Sequence, residues 1–150
     1  MTQMQVLPPE TIKVIVPPGK YVLGDPCYVV PQEDWQPLLE SCDYFNLPVG
    51  LCKGFQVLGF STKYGDGTYA DNKRRHYPVD AGLIGLVPWA YAENVNPEYS
   101  HIVEFSFNTV CSRNTDGTLT FGAISIETGD DASYSDEEEA QEIDDASWRP

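Results

Sequence analysis

Basic residues are scarce in this chain: nine Lys and Arg stand against 23 Asp and Glu, for a net charge of −14. A surface of that sign repels nucleic-acid phosphates, so direct binding to DNA or RNA is not expected. Long apolar runs are also missing. The longest, from Gly82 to Ala92, is broken by Pro88 and is too short to cross a bilayer. The first ten residues hold no apolar h-region, so neither a secretory signal nor a membrane role is expected. Two histidines, His76 and His101, accompany four cysteines, and no cysteine pair has C-x-x-C spacing, which leaves no zinc pattern. Four reduced thiols in a cytoplasmic protein are the simplest expectation. The nucleophile-elbow motif, the Walker loop and the dinucleotide fingerprint are all absent, and no cofactor is expected. Cys27 makes a poor catalytic thiol, because neighbouring Asp25 raises its pKa.

What is present is turn chemistry and aromatic mass. Twelve Gly, 12 Pro and an aromatic share of 12% imply short elements around a well-filled core. A chain of 150 residues suits one domain and buries enough surface to need no staple. The charge is unevenly spread. From Asp130 onward, nine acids face Arg149 alone, whereas the first 129 residues carry fourteen acids and eight bases. These give −8 for the end of the chain and −6 for the rest. The sequence therefore divides into a flexible N-terminus (1–10), a β-rich globular domain (11–128) and a disordered acidic tail (129–150). Trp148 stands out within that tail as an apolar anchor for a surface or a partner.

Strands are expected where β-branched and aromatic residues cluster between Gly and Pro breaks. Thr11 to Val16 and Lys20 to Leu23 are the first two, and Cys27 to Val30 is read as extended. Pro31 to Cys42 is the helix candidate, with Trp35, Leu38 and Leu39 on one face and Asp34 as a cap. Asp43 to Lys53 reads as irregular. Phe55 to Thr62 is a strand. Thr68 to Ala70 and Arg75 to Val79 form a hairpin around Asp71-Asn72-Lys73. Leu83 to Val87 is a buried strand, and Pro88 to Pro97 a loop. Val103, Phe105 and Phe107 alternate with polar residues as a half-buried strand, which Asn114-Thr115-Asp116-Gly117 would turn back onto Leu119 and Phe121. The apolar set then shifts by one residue to Ile124 and Ile126, which suggests a β-bulge at Gly122-Ala123. The fold class is mainly β: an antiparallel sheet curled as a sandwich or partial barrel, with one short helix.

Three constellations can carry chemistry. The only basic cluster is Lys73-Arg74-Arg75-His76. In a hairpin, alternation sends Lys73 and Arg75 to one face and Arg74 and His76 to the other. With Tyr64, Tyr69 and Tyr77 nearby, Arg74, Arg75 and His76 suit a small anionic ligand such as a nucleotide, held by an Arg fork and a stacked ring. The alternative is pairing with the chain's own carboxylates. Asp25 and Asp80 sit where a strand meets a turn, and Asp66 lies in the Tyr64 to Gly67 turn; converging in one cleft they can hold a divalent metal for hydrolysis, or each can cap local backbone N–H groups. Tyr64 to Asn72 is rich in Asp and Asn, but it lacks EF-hand spacing.

The segments YVLGDPCYVVP, FSTKYGDGTY and YPVDAGLIGLVP, from Tyr21 to Pro88, resemble a group of small bacterial and bacteriophage proteins grouped only as a domain of unknown function. The resemblance implies a microbial or phage origin and a β-rich fold, and no reaction. The leading expectation is a non-enzymatic binding protein, such as a phage accessory or anti-defence factor. It would inhibit or sequester a host protein with a basic surface, or a small anionic ligand. A metal-assisted hydrolase using Asp25, Asp66 and Asp80, and an assembly protein recruiting a partner through its acidic tail, are the alternatives.

Overall fold

In a computed structural model, residues 4–7 and 11–129 are described. Twelve strands and one helix alternate with short turns. The strands are β1 (Gln5–Leu7), β2 (Ile12–Val16), β3 (Gly19–Gly24), β4 (Val49–Cys52), β5 (Phe55–Ser61), β6 (Gly67–Ala70), β7 (His76–Val79), β8 (Leu83–Pro88), β9 (Ser100–Phe105), β10 (Thr109–Arg113), β11 (Thr118–Phe121) and β12 (Ile124–Glu127). Helix α1 spans Gln32–Ser41. Every pairing is antiparallel. One sheet has the order β1-β2-β10-β11-β12, a second β4-β5-β8-β3-β9, and β6-β7 forms a separate hairpin. The architecture is a sandwich of two five-stranded sheets, as the sequence pattern leads one to expect, and not a closed barrel.

Val14, Val16, Leu119, Phe121 and Ile126 of the first sheet face Leu23, Leu58, Phe60, Ile84 and Leu86 of the second, and Tyr69, Tyr77 and Val79 of the hairpin close one side. The second sheet is buried on its other face as well. There Val22, Val57, Leu83 and Val87 pack under Leu38, Cys42, Phe45 and Tyr91. Burial on both faces explains why Leu83 to Val87 reads as a continuous apolar run instead of an alternating one. A row of glycines, Gly24, Gly85 and Gly59, crosses that sheet in register. A Cβ on Gly59 would lie 2.8 Å from the Phe45 ring, so this glycine lets the covering layer approach the backbone closely.

Several local expectations are corrected. Gln5–Leu7 pairs with Lys13 to Ile15 inside the stretch read as a flexible N-terminus. Cys27 to Val30 is not extended: Pro26–Tyr28 is a 3-10 turn capped by the Asp25 carboxylate. Asp34 does not cap α1. The cap position is Pro31, and Asp34 is buried within the first turn. Pro37 therefore lies in the interior of the helix rather than in its first turn. Val49–Cys52, read as irregular, is strand β4.

The C-terminal hairpin also differs. Residues 103–107 do not return onto Leu119 and Phe121. β9 joins β3 in the second sheet, and β10 is the strand that pairs with β11 across the Asn114 turn. Gly122-Ala123 is not a bulge but a two-residue hairpin loop, with Phe121 opposite Ile124 and Gly122 at φ +67°. Cross-strand partners share a face, which accounts for the one-residue shift of the apolar set. The expected tail, with Trp148, lies outside the described residues.

Candidate functional site

The basic segment is organised by a carboxylate that sequence reasoning had treated only as a turn residue. Asp71 is buried, and its Oδ1 accepts the backbone N–H groups of Lys73 at 2.8 Å and Arg75 at 3.0 Å. Its Oδ2 accepts the Tyr77 hydroxyl at 2.6 Å and Arg75 Nε at 3.0 Å. Burial works to raise the Asp71 pKa, but the four hydrogen bonds outweigh it and hold the carboxyl below its ordinary range. Asn72 fixes the turn to the first sheet: its N–H donates to Ser125 O, its side-chain amide donates to Ala123 O, and its Oδ1 accepts from Ser125 N–H. Arg74 takes up the strain of the turn at φ +67° and is exposed.

These anchors set Lys73 and Arg75 along a groove of about 490 Å³ where the hairpin meets both sheets. Phe105, Phe107, Ile102 and Glu104 line it too, with the β11–β12 turn as a further wall. Phe107 is 79% exposed and Ile102 44%, although alternation had put Phe107 on a buried face. Phe107 lies two residues beyond the end of β9, so the sheet no longer dictates its direction. Among the described residues the Lys73 ammonium has no ion pair. The groove thus joins the Lys73 ammonium, the Arg75 guanidinium paired with buried Asp71, and Glu104 to exposed aromatic and aliphatic surface.

The residues singled out from the sequence separate into distinct places. Arg75 lines the groove, whereas Arg74 and His76 do not. Tyr69 and Tyr77 are not ligand-facing. Both are fully buried between the sheets, with hydroxyls bound to Gly65 O and Asp71, because strand alternation turns them inward. Tyr64 is exposed and is absent from the groove lining. The basis for including Phe105 and Phe107 was legible only as strand periodicity.

Asp25, Asp66 and Asp80 do not form a metal-ligand set; among the described residues no group of three or more His, Cys, Asp or Glu does. Asp25 is fully buried, and its carboxylate accepts N–H groups from Cys27 at 3.0 Å and from Asp80 and Ala81 at 2.8 Å each. It is the local cap that its turn context allows, tying the 3-10 turn to the β7–β8 connection. Burial raises its pKa against those three donors. Asp66 and Asp80 are exposed. Burial first, and then the Asp25 carboxylate, push the Cys27 thiol far up. Cys27, Cys42, Cys52 and Cys111 are free thiols. Asp34 accepts from the Tyr91 hydroxyl at 2.8 Å and pairs with Lys53 at 3.1 Å, which pins α1 to the β4–β5 turn. Among the described residues no helix is long and apolar enough to cross a membrane.

No family model, no curated protein and no solved structure significantly matches the chain.

Proposed function

We propose that the chain is a non-enzymatic binding protein that holds a small anionic ligand with an aromatic part, such as a nucleotide, in the groove bounded by Lys73, Arg75, Phe105 and Phe107. The observation that carries this reading is that two of the few cations in an acidic chain share one groove with exposed Phe107. A phosphate would meet the Lys73 ammonium and the Arg75 guanidinium, and a base would lie against the phenyl ring. The resemblance of Tyr21 to Pro88 to small bacterial and phage proteins supports a microbial setting. There the protein would act in the cytoplasm as an accessory factor that sequesters a host ligand.

Calorimetric titration of adenosine monophosphate into the full chain tests the reading, with Lys73→Ala and Phe107→Ala as the variants, since both side chains are exposed. Each substitution is expected to weaken binding about fivefold or more. Equal heats in wild type and both variants would remove the idea.

A second reading rests on the acidity of residues 1–129, which carry a net charge of −6. Such a field would steer the protein to a host protein with a basic surface and give an affinity that falls steeply with salt. An affinity unchanged from low to high salt would rule it out.

A further inference from the structure

Away from the basic groove, a second pocket of about 500 Å³ opens beside the start of β9, lined by Tyr28, Glu93, Asn94, Asn96, Tyr99 and Ser100 among others. The rings of Tyr28 and Tyr99 stack with centroids 4.9 Å apart and planes 26° from parallel. Both walls are held by main-chain bonds. Glu93 N–H and Asn94 N–H donate to Val29 O at 2.9 and 3.1 Å, which ties one wall to the turn carrying Tyr28. Tyr99 N–H and Ser100 N–H donate to Asn96 O at 2.8 and 2.9 Å, and Glu98 N–H donates to Asn96 Oδ1, which closes the other. Below them Ser100 is locked against Gly24, where an added Cβ would come within 2.8 Å of the Ser100 Cβ. The aromatic pair is therefore set in place before any ligand arrives.

The electrostatics of this pocket are opposite to those of the groove. Among the described residues no Lys, Arg or His lines it, and Glu93 does. The Tyr28 phenol is pushed up to about 12, by burial first and then by the nearby Asp80 carboxylate. A ring pair in a negative field favours a positive charge over its π face, and Glu93, an exposed lining residue, is the acidic group available as counter-ion.

We propose that the Tyr28–Tyr99 pocket binds an organic ammonium group, with the aromatic pair as its face and Glu93 as its counter-charge. The group can belong to a free polyamine or to a lysine side chain. The site is independent of the Lys73–Arg75 groove and takes a ligand of the other sign.

The test follows the ring resonances of Tyr28 and Tyr99 by NMR while the full chain is titrated with spermidine, with N-acetyl-lysine methylamide and with glucose. Saturable shifts with either ammonium and none with glucose are expected, and the tighter of the two identifies the source. Glu93→Gln should weaken that binding about threefold or more, and Tyr99→Ala should remove it, while both exposed substitutions leave the circular dichroism spectrum unchanged. No shift with either ammonium, an equal response to glucose, or a Glu93→Gln affinity equal to wild type would each overturn the proposal.

Discussion

The Tyr77 hydroxyl donates to Asp71 Oδ2 at 2.6 Å, deep enough that neither side chain's contact is shared with solvent. This bond links the inter-sheet core to the basic turn, because the same carboxylate holds Lys73 and Arg75, while the Asp71 backbone forms a β-bridge with Ile126 at the edge of the first sheet. Removing the carboxylate strands a buried phenol and an oriented guanidinium together. Asp71→Ala is expected to cost about 3 kcal/mol in urea unfolding. The ligand affinity proposed for the groove should fall with it, since Asp71 Oδ2 orients the Arg75 Nε.

Gly85 is the tightest point of the fold. A Cβ built there would lie 1.7 Å from Leu58 O, a backbone atom that cannot move aside without breaking the β5–β8 ladder. Gly85→Ala is therefore expected to destabilise by about 3 kcal/mol or more, against much less for Gly54→Ala, where the added atom meets nothing within 4 Å but φ is +82°. Urea midpoints of the two variants check the contrast. Equal losses would show that backbone conformation, not close approach, governs both sites.

Much of the sandwich was legible because burial leaves a periodic trace. Leu83 to Val87 and Phe55 to Thr62 read as strands from residue content, and α1 from Trp35, Leu38 and Leu39. What was not legible depended on partners distant in sequence. β4 has little local β character, and it is a strand because β5 pairs with it. Gly122-Ala123 read as a bulge from the one-residue shift, and the pairing of Phe121 with Ile124 makes it a turn instead. At the candidate site the basic cluster was visible as composition. Asp71 was visible only as a turn residue, because its other partner, Tyr77, is identified by geometry. Tyr69 and Tyr77 were misassigned because a tyrosine near a cation looks the same in sequence whether its ring faces ligand or core.

Thiol chemistry gives a separate check. Burial raises the Cys111 thiol to about 12 and moves Cys42 in the same direction. Cys27 is raised further still, by burial together with Asp25. Because the thiolate is the reacting species, these three should resist iodoacetamide at pH 8 in the native protein and label promptly in urea. Mass spectrometry of the alkylated peptides would show this. Rapid native labelling of Cys27 would contradict the Asp25 contact.

Asp25 and Asp71 are both buried carboxylates, yet their pKa values move in opposite directions, so their contributions to stability must run oppositely with pH. The Asp71 pKa is lowered on folding. Its contribution is present above the unfolded carboxylate range and is lost as pH falls through the folded value. The Asp25 pKa is raised, mainly by burial. Its contribution is fully present below the unfolded value and diminishes as pH rises through the folded one. Substituting each by alanine and measuring unfolding free energies from pH 3 to pH 7 should therefore give difference curves of opposite slope. The penalty for Asp71→Ala grows with pH, and that for Asp25→Ala shrinks. Asp25→Ala remains destabilising throughout, because the N–H groups of Cys27, Asp80 and Ala81 lose their acceptor, at a cost of about 1–3 kcal/mol for each that stays buried and unpaired. Parallel difference curves would mean that desolvation does not dominate at Asp25, and that its three backbone donors stabilise the ionised carboxylate as effectively as the Tyr77 and Arg75 side chains stabilise Asp71.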